Sequence, residues 1–193
     1  MNIGSRRTAP VLSLDAVQNF LLRTRYRLAQ GLDSLVPRVP TDRNAILAAV
    51  LSPEQRQVFL SLSSVDQAHL LRVYRAVKQA DPAASNDLHV AALLHDVGKV
   101  SPSGRVRLVH RVLRVALAKF APSAWSRLTA LPARGWRTGF VLAEHHPALG
   151  AEIADRLGCS ARTSWLIAQH GTRSFPIDDP ELRLLVEADY HAR

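Results

Sequence analysis

Apolar residues recur at helical spacing through most of this chain. Ser64-Val65-Asp66 opens a long amphipathic segment to about Ala80, with Leu70, Val73 and Val77 on one face and Leu71 and Tyr74 beside it. Leu14, Val17, Leu21 and Leu28 predict an earlier helix to about Ala29. Gly31, Pro37 and Pro40 then punctuate a linker. Thr41 or Asp42 predicts the cap of a short helix through Leu51, and Ser52-Pro53-Glu54 predicts the start of the next, with proline in its first turn.

Asp81-Pro82 marks a break. Ser85-Asn86-Asp87 caps a helix carrying Val90 to Asp96, which Gly98 and Pro102 end. Arg105 to about Lys119 reads as another helix, followed by turns at Pro122, Pro132 and Gly135 around short helices. Pro147 reads as the start of a helix to Leu157, closed by Gly158 as a left-handed cap. Ser160 caps a helix through His170, and Asp179-Pro180 starts the last, to about His191. Period-two alternation, internal repeats and low-complexity stretches are missing from the sequence. The pattern predicts an all-α bundle.

Composition agrees with one packed domain: 193 residues, 47% apolar. The division expected is an N-terminal arm, helix and linker over 1–40, then the main domain over 41–193 with a basic amphipathic insertion at about 103–143. A single cysteine, Cys159, excludes a disulfide framework and a cysteine-based zinc site, and it fits a reducing compartment. Arg6 and Arg7 precede too short an apolar stretch, broken by Pro10, to resemble a secretion signal. No apolar run approaches the ~18 residues of a membrane span. The expectation is a cytoplasmic chain, with contact at a membrane surface left open.

Charge changes the picture. The chain carries a formal +9, yet all 16 acidic residues lie outside 97–143. That window holds nine cations: Lys99, Arg105, Arg107, Arg111, Arg114, Lys119, Arg127, Arg134 and Arg137. On a helical wheel Arg107, His110, Arg111 and Arg114 share one arc of about 100°, and apolar residues fill most of the rest. One reading is a well-buried helix with a narrow solvated ridge. A second is an interfacial helix on anionic lipid, with contact through 105–137. A third is a rim attracting anionic nucleotides or nucleic acid. The wide apolar arc favours a bilayer or a partner over nucleic acid.

The candidate chemistry gathers around His95-Asp96, at the end of the apolar run Ala91-Ala92-Leu93-Leu94. An imidazole beside a carboxylate suits a divalent cation. Other donors border apolar stretches: His69 in the Ser64 helix, His146 before Pro147, His170 at the end of Ile167-Ala168-Gln169, and Asp189 near the C-terminus.

His69, the pair His95-Asp96 and Asp189, in that order, resemble the H…HD…D signature of HD-domain metal-dependent phosphohydrolases, and AALLHDVGK is close to that family's most typical form. The resemblance runs over roughly 64 to 191. It implies a bundle of five core helices with additions. The segments His146-Pro-Ala-Leu-Gly and Ile-Ala-Gln-His170-Gly are similar to the two-metal subgroup that includes HD-GYP cyclic-dinucleotide phosphodiesterases. It implies that His69, His95, Asp96 and Asp189 hold a first metal and that His146, His170 and Asp96 hold a second. The chain departs from that subgroup twice: Gln169 stands where a second histidine is frequent, and Gly171-Thr172-Arg173 stands roughly where the GYP signature belongs. Specificity for cyclic di-GMP therefore does not follow.

Mixed imidazole and carboxylate donors favour Mn²⁺, Fe²⁺, Co²⁺, Ni²⁺ or Zn²⁺ over Ca²⁺ or Mg²⁺. One or two such ions acidify water and clamp phosphate oxygens. The expected reaction is hydrolysis of a phosphomonoester or phosphodiester, in a nucleotide or signalling nucleotide, with Asp96 and Lys99 in the catalytic machinery. Lys99 is a candidate to offer a compact charge to phosphate, the alternative being an interaction with a helix C-terminus, and Arg72, three residues after His69, is a candidate second substrate contact. Asp66 is a candidate to orient an imidazole from behind. His145 competes with His146 for the ligand role. The alternative is a catalytically degenerate HD-fold sensor or membrane-surface adaptor.

Overall fold

Short polar side chains cap five of the helices among the described residues and fix where those begin. A computed structural model describes residues 40–172 and 176–192, within one compact unit, Arg38–Arg193. The helix expected over Leu14–Ala29 lies outside the described residues. Helix α1 spans Arg43–Val50 and α2 Pro53–Ser61. The Ser52 hydroxyl accepts from the Gln55 amide at 3.3 Å while the Gln55 side chain accepts from the Ser52 amide at 3.0 Å, a reciprocal cap over Pro53. Helix α3, Ser64–Ala80, is capped by Ser63, and α4, Asn86–Leu94, by Ser85.

The polypeptide then makes a 3₁₀ turn over Val97–Lys99 and a small hairpin, β1 Val100–Ser101 against β2 Gly104–Arg105. No alternating pattern announces a ladder of two residues. The hairpin also delays the basic helix: α5 is Leu108–Phe120 rather than starting at Arg105, because Arg105 pairs with Val100 and the Val106 amide donates to the Lys99 carbonyl at 2.9 Å. Helix α6, Pro122–Thr129, follows.

Helix α7 corrects the reading of Pro147. It runs unbroken over Thr138–Arg156, with Pro147 in its interior rather than at its first turn. Gly158 closes it at φ 68°, as expected. Helices α8, Ala161–Gln169, and α9, Pro180–His191, begin at Ser160 and Asp179, whose side chains accept from the amides three residues on.

Helices α3, α4, α7, α8 and α9 surround the main core. Leu70, Val73 and Val77 of α3 meet Leu88, Ala91 and Leu94 of α4, Leu166 and Ile167 of α8, and Leu185 of α9, all fully buried or nearly so. A smaller core of Val106, Trp125, Phe140, Leu142 and Ala143 lies under α5 and α6. The all-α expectation holds apart from the hairpin.

Helix α5 overturns the buried-helix reading. None of its residues is fully buried, and Arg111 and Arg114 of its cationic arc turn inward while Arg107 stays exposed. Arg111 pairs with Asp66 of α3, and Arg114 lies 3.7 Å from Glu144 of α7. The aliphatic arc faces outward instead: Val112 is 59% and Val115 69% exposed. The physical reason is that two carboxylates on flanking helices attract the guanidinium groups, while only Leu113, Leu117 and Ala118 reach the small core.

Candidate metal centre

Four histidines, two of them at helix ends and two within helices, meet around one buried carboxylate. His95 is the residue that ends α4, and Asp96 follows it into the 3₁₀ turn. Asp96 is 2% exposed, and its two oxygens face different pairs of imidazoles. Oδ2 lies 3.8 Å from His69 Nε2 and 3.8 Å from His95 Nε2. Oδ1 lies 3.5 Å from His146 Nε2 and 3.8 Å from His170 Nε2. Asp189 of α9 closes the first group, with Oδ1 at 3.0 Å from His69 Nε2 and 3.7 Å from His95 Nε2.

The imidazoles are aimed by carbonyls. Nδ1 of His95 donates to the Ala92 carbonyl at 3.2 Å, and Nδ1 of His170 to that of Ile167 at 2.7 Å. Both acceptors belong to the last turn of their helices, where carbonyls lack helical partners. His146 sits mid-helix and has no such terminus. Its Nδ1 nonetheless donates to the Ala143 carbonyl at 3.2 Å. The residue that would normally bond that carbonyl is 147, and proline has no N–H. Pro147 therefore frees an acceptor inside α7 that the adjoining imidazole uses. In His95, His146 and His170 a proton on Nδ1 leaves the Nε2 lone pair facing Asp96. His69 Nδ1 approaches the Ala192 carbonyl at 3.4 Å.

This donor set fits a divalent ion. Nε2 of His95 is buried and has no hydrogen-bond partner, which is costly unless a cation meets the lone pair. Two donors on one ion, with bonds near ~2.1 Å, stand roughly 3.0–3.4 Å apart, close to the spacings above. His69, His95 and Asp189 form one group able to hold an ion, and His95, Asp96 and His170 form another.

Electrostatics favours the ligand forms of most of these groups. Burial works against the Asp96 carboxylate, but Lys99 and then His95, His146 and His69 overcome it and hold its pKa well below the usual range. Burial pushes the His146 pKa well down and that of His170 down to about 4, so both are neutral near pH 7. At His95 burial is outweighed by the Asp96 and Asp189 carboxylates, and its pKa rises.

Close backbone approach makes this convergence possible. A Cβ on Gly98 would lie 2.2 Å from the His146 carbonyl oxygen and 2.7 Å from the Gly150 nitrogen. Only glycine lets the turn after Asp96 rest directly on α7. A Cβ on Gly150 already meets the Ile167 side chain at 3.1 Å, so Gly150 in turn lets α8 come near.

Of the predicted site residues, His69, His95, Asp96, His146, His170 and Asp189 come together. Lys99 Nζ pairs with Asp96 Oδ2 at the edge of the cluster, part-buried. Arg72 is exposed, and its Nε donates to the Ala192 carbonyl at 3.1 Å. His145 turns away, with Nε2 3.0 Å from the Thr129 carbonyl. Gln169 is exposed rather than in the cluster. Asp66 does not orient an imidazole: its carboxylate accepts from the Ser63 hydroxyl at 2.6 Å and is paired with Arg111. Sequence reasoning missed the role of Pro147, for which the adjacency His146-Pro147 was the available signal. It also missed the Arg111–Asp66 pair, for which the sequence carries none.

The helical bundle brings four imidazoles and two carboxylates to one buried point, an arrangement able to hold divalent ions. The HD-domain family model matches residues 67–193, and the chain belongs to that family. No curated protein and no solved structure matches the chain. HD domains are in general metal-dependent phosphohydrolases. No helix among the described residues is long and apolar enough to cross a membrane.

Proposed function

We propose that this chain is a two-metal phosphohydrolase that cleaves a phosphomonoester or phosphodiester of a nucleotide or signalling nucleotide. One observation carries the reading: the two oxygens of Asp96 face two separate imidazole pairs, the arrangement of a bridging carboxylate. His69, His95, Asp96 and Asp189 would hold one ion, and His146, His170 and Asp96 the other. Mn²⁺, Fe²⁺, Co²⁺, Ni²⁺ and Zn²⁺ suit these donors. Divalent ions bound there would supply Lewis acidity, acidifying water and neutralising charge on phosphoryl oxygens.

The protein's own groups do the rest. The carbonyls of Ala92, Ala143 and Ile167 fix three imidazoles before substrate arrives, so little reorganisation is needed. Lys99 is held beside Asp96 with part of its side chain exposed, where its ammonium meets an incoming phosphate oxygen. Arg72, whose guanidinium Nε donates to the Ala192 carbonyl, provides an outer contact for the same anion. The stretch without carboxylates that begins directly after Asp96 favours an anionic substrate.

Purified protein is expected to contain transition metal in fixed ratio to the chain, read by plasma mass spectrometry, and to hydrolyse bis(p-nitrophenyl) phosphate. Asp96→Ala should abolish turnover with the circular dichroism spectrum retained, and His146→Ala should cut it strongly where His145→Ala does not. A wild-type protein without metal or activity would overturn the proposal in favour of a degenerate HD-fold sensor or adaptor.

A further inference from the structure

Helix α5 wears its apolar side outward. Leu108 is 66% exposed, Val109 52%, Val112 59%, Val115 69% and Phe120 78%. With Ala116 and Lys119 these positions share an arc of about 140° at 100° per residue. Leu131 and Trp136, further along the same carboxylate-free stretch, are also exposed.

The orientation is fastened from within. Arg111 pairs with buried Asp66, and Arg114 lies beside Glu144, which also accepts from the Trp125 indole at 3.1 Å. His110 lies edge-on to Phe140, ring centres 4.8 Å apart, and a Cβ on Gly139 would stand 2.2 Å from its ring. Rolling the helix to bury its aliphatic arc would strip Asp66 of its guanidinium partner and leave a buried carboxylate short of its charge. The exposed face is thus part of the fold and calls for an occupant.

Charge decides which occupant. Exposed Arg105, Arg107, Lys119, Arg127 and Arg134 surround the apolar residues in sequence, with no carboxylate from 97 to 143. A second copy would set this cationic stretch against itself. The chain's own first 40 residues are also cationic, with six arginines against Asp15 and Asp33. Nucleic acid meets the charge but not the aliphatic arc. A bilayer with anionic headgroups meets both: acyl chains take the apolar side chains, headgroups take the cations, and an exposed tryptophan suits the interface.

We infer that α5 is a peripheral membrane-docking helix that lies on anionic lipid. It is fastened to α3 and α7, the helices that carry His69 and His146, so docking would hold the metal-bearing bundle at the bilayer surface. The inference stands whether or not the centre hydrolyses phosphoesters.

The test is co-sedimentation of the full chain with phosphatidylglycerol–phosphatidylcholine vesicles and with pure phosphatidylcholine vesicles. Wild type should partition onto the anionic vesicles at least about tenfold better than onto neutral ones. Val112→Asp with Val115→Asp, both solvent-facing and checked for fold by circular dichroism, should cut that partition by about tenfold or more. Phe120→Asp serves as a second probe should the double variant misfold. Lys119→Glu should weaken binding to anionic vesicles alone. Wild type left in the supernatant, or aspartate variants that bind as wild type does, would overturn the inference. So would a wild-type dimer by light scattering that Val112→Asp turns into a monomer without any vesicle binding, which would give the face to a second copy.

Discussion

Asp96 is the residue on which the cluster depends, and Gly98 is what lets it sit there. The turn after Asp96 runs against the backbone of α7, and a methyl group at 98 would meet a carbonyl oxygen and an amide nitrogen that cannot swing aside. Gly98→Ala should therefore force the turn away from α7 and separate Asp96 from His146. Overpacking of this kind costs about 1–3 kcal/mol, and against backbone the upper end applies. At ~2–4 °C per kcal/mol for a protein of this size, the midpoint should fall by roughly 6–12 °C. Metal content should fall with it. A thermal scan with metal analysis checks both, and an unchanged midpoint would show that the turn has slack to move. The sequence marked this glycine only as a helix stop. The contact that constrains it comes from residues about fifty positions away.

At the scale of elements, the proline inside α7 costs helix stability and orients a ligand. An interior proline costs about 3 kcal/mol, so Pro147→Ala should raise the midpoint or leave it unchanged. The new N–H at 147 would compete for the Ala143 carbonyl and loosen the His146 imidazole. Loss of a group that orients a ligand lowers metal affinity about 10–100-fold. More heat-stable protein with weaker metal binding, read by calorimetric titration, is the expected pair of results. Equal affinity would remove Pro147 from the site. Helix α9 offers a second test. Arg162 hydrogen-bonds both Asp179 and Glu181, and that contact, against slight burial and with help from the Leu182 amide, lowers the Asp179 pKa. A carboxylate whose folded pKa is depressed stabilises fully above its unfolded value and loses that contribution as pH falls through the folded one. Asp179→Ala should cost about 1 kcal/mol near neutrality, and the gap from wild type should close below about pH 4, the ordinary aspartate value. Urea titrations at several pH values measure it; a gap that persists in acid would count against the carboxylate.

These elements also show what a sequence can carry. Caps such as Ser52, Ser85, Ser160 and Asp179 act on amides three residues away, so they are legible, as is the apolar face of α3. Pro147 was not, since a helix that starts at a proline and one that passes through it share the same local pattern. The cationic arc of α5 was visible, but not its direction, which Asp66 sets from 45 residues away. The six candidate ligands were legible through family resemblance. Spacing along the chain does not by itself bring α3, α4, α7, α8 and α9 to one point.

For the whole molecule, the centre is also the place where these five helices are tied. His69 comes from α3, His95 from the end of α4, His146 from α7, His170 from the end of α8 and Asp189 from α9. Unfolding scatters these donors, so an ion that needs them together binds the folded state and stabilises it by mass action. At 100 times the dissociation constant that stabilisation is about 2.7 kcal/mol, or roughly 5–11 °C for a chain of this length. Protein stripped with a chelator and then returned to Mn²⁺ should regain that increment in differential scanning calorimetry, growing with the logarithm of ion concentration. Removing the shared carboxylate should erase most of it, because each proposed ion set loses the donor that joins it to the other. Asp96→Asn is thus expected to melt at nearly one temperature with and without metal. A full metal-dependent rise in Asp96→Asn would mean that the surrounding histidines and Asp189 hold the ion without the bridge, and would overturn the central place given to Asp96.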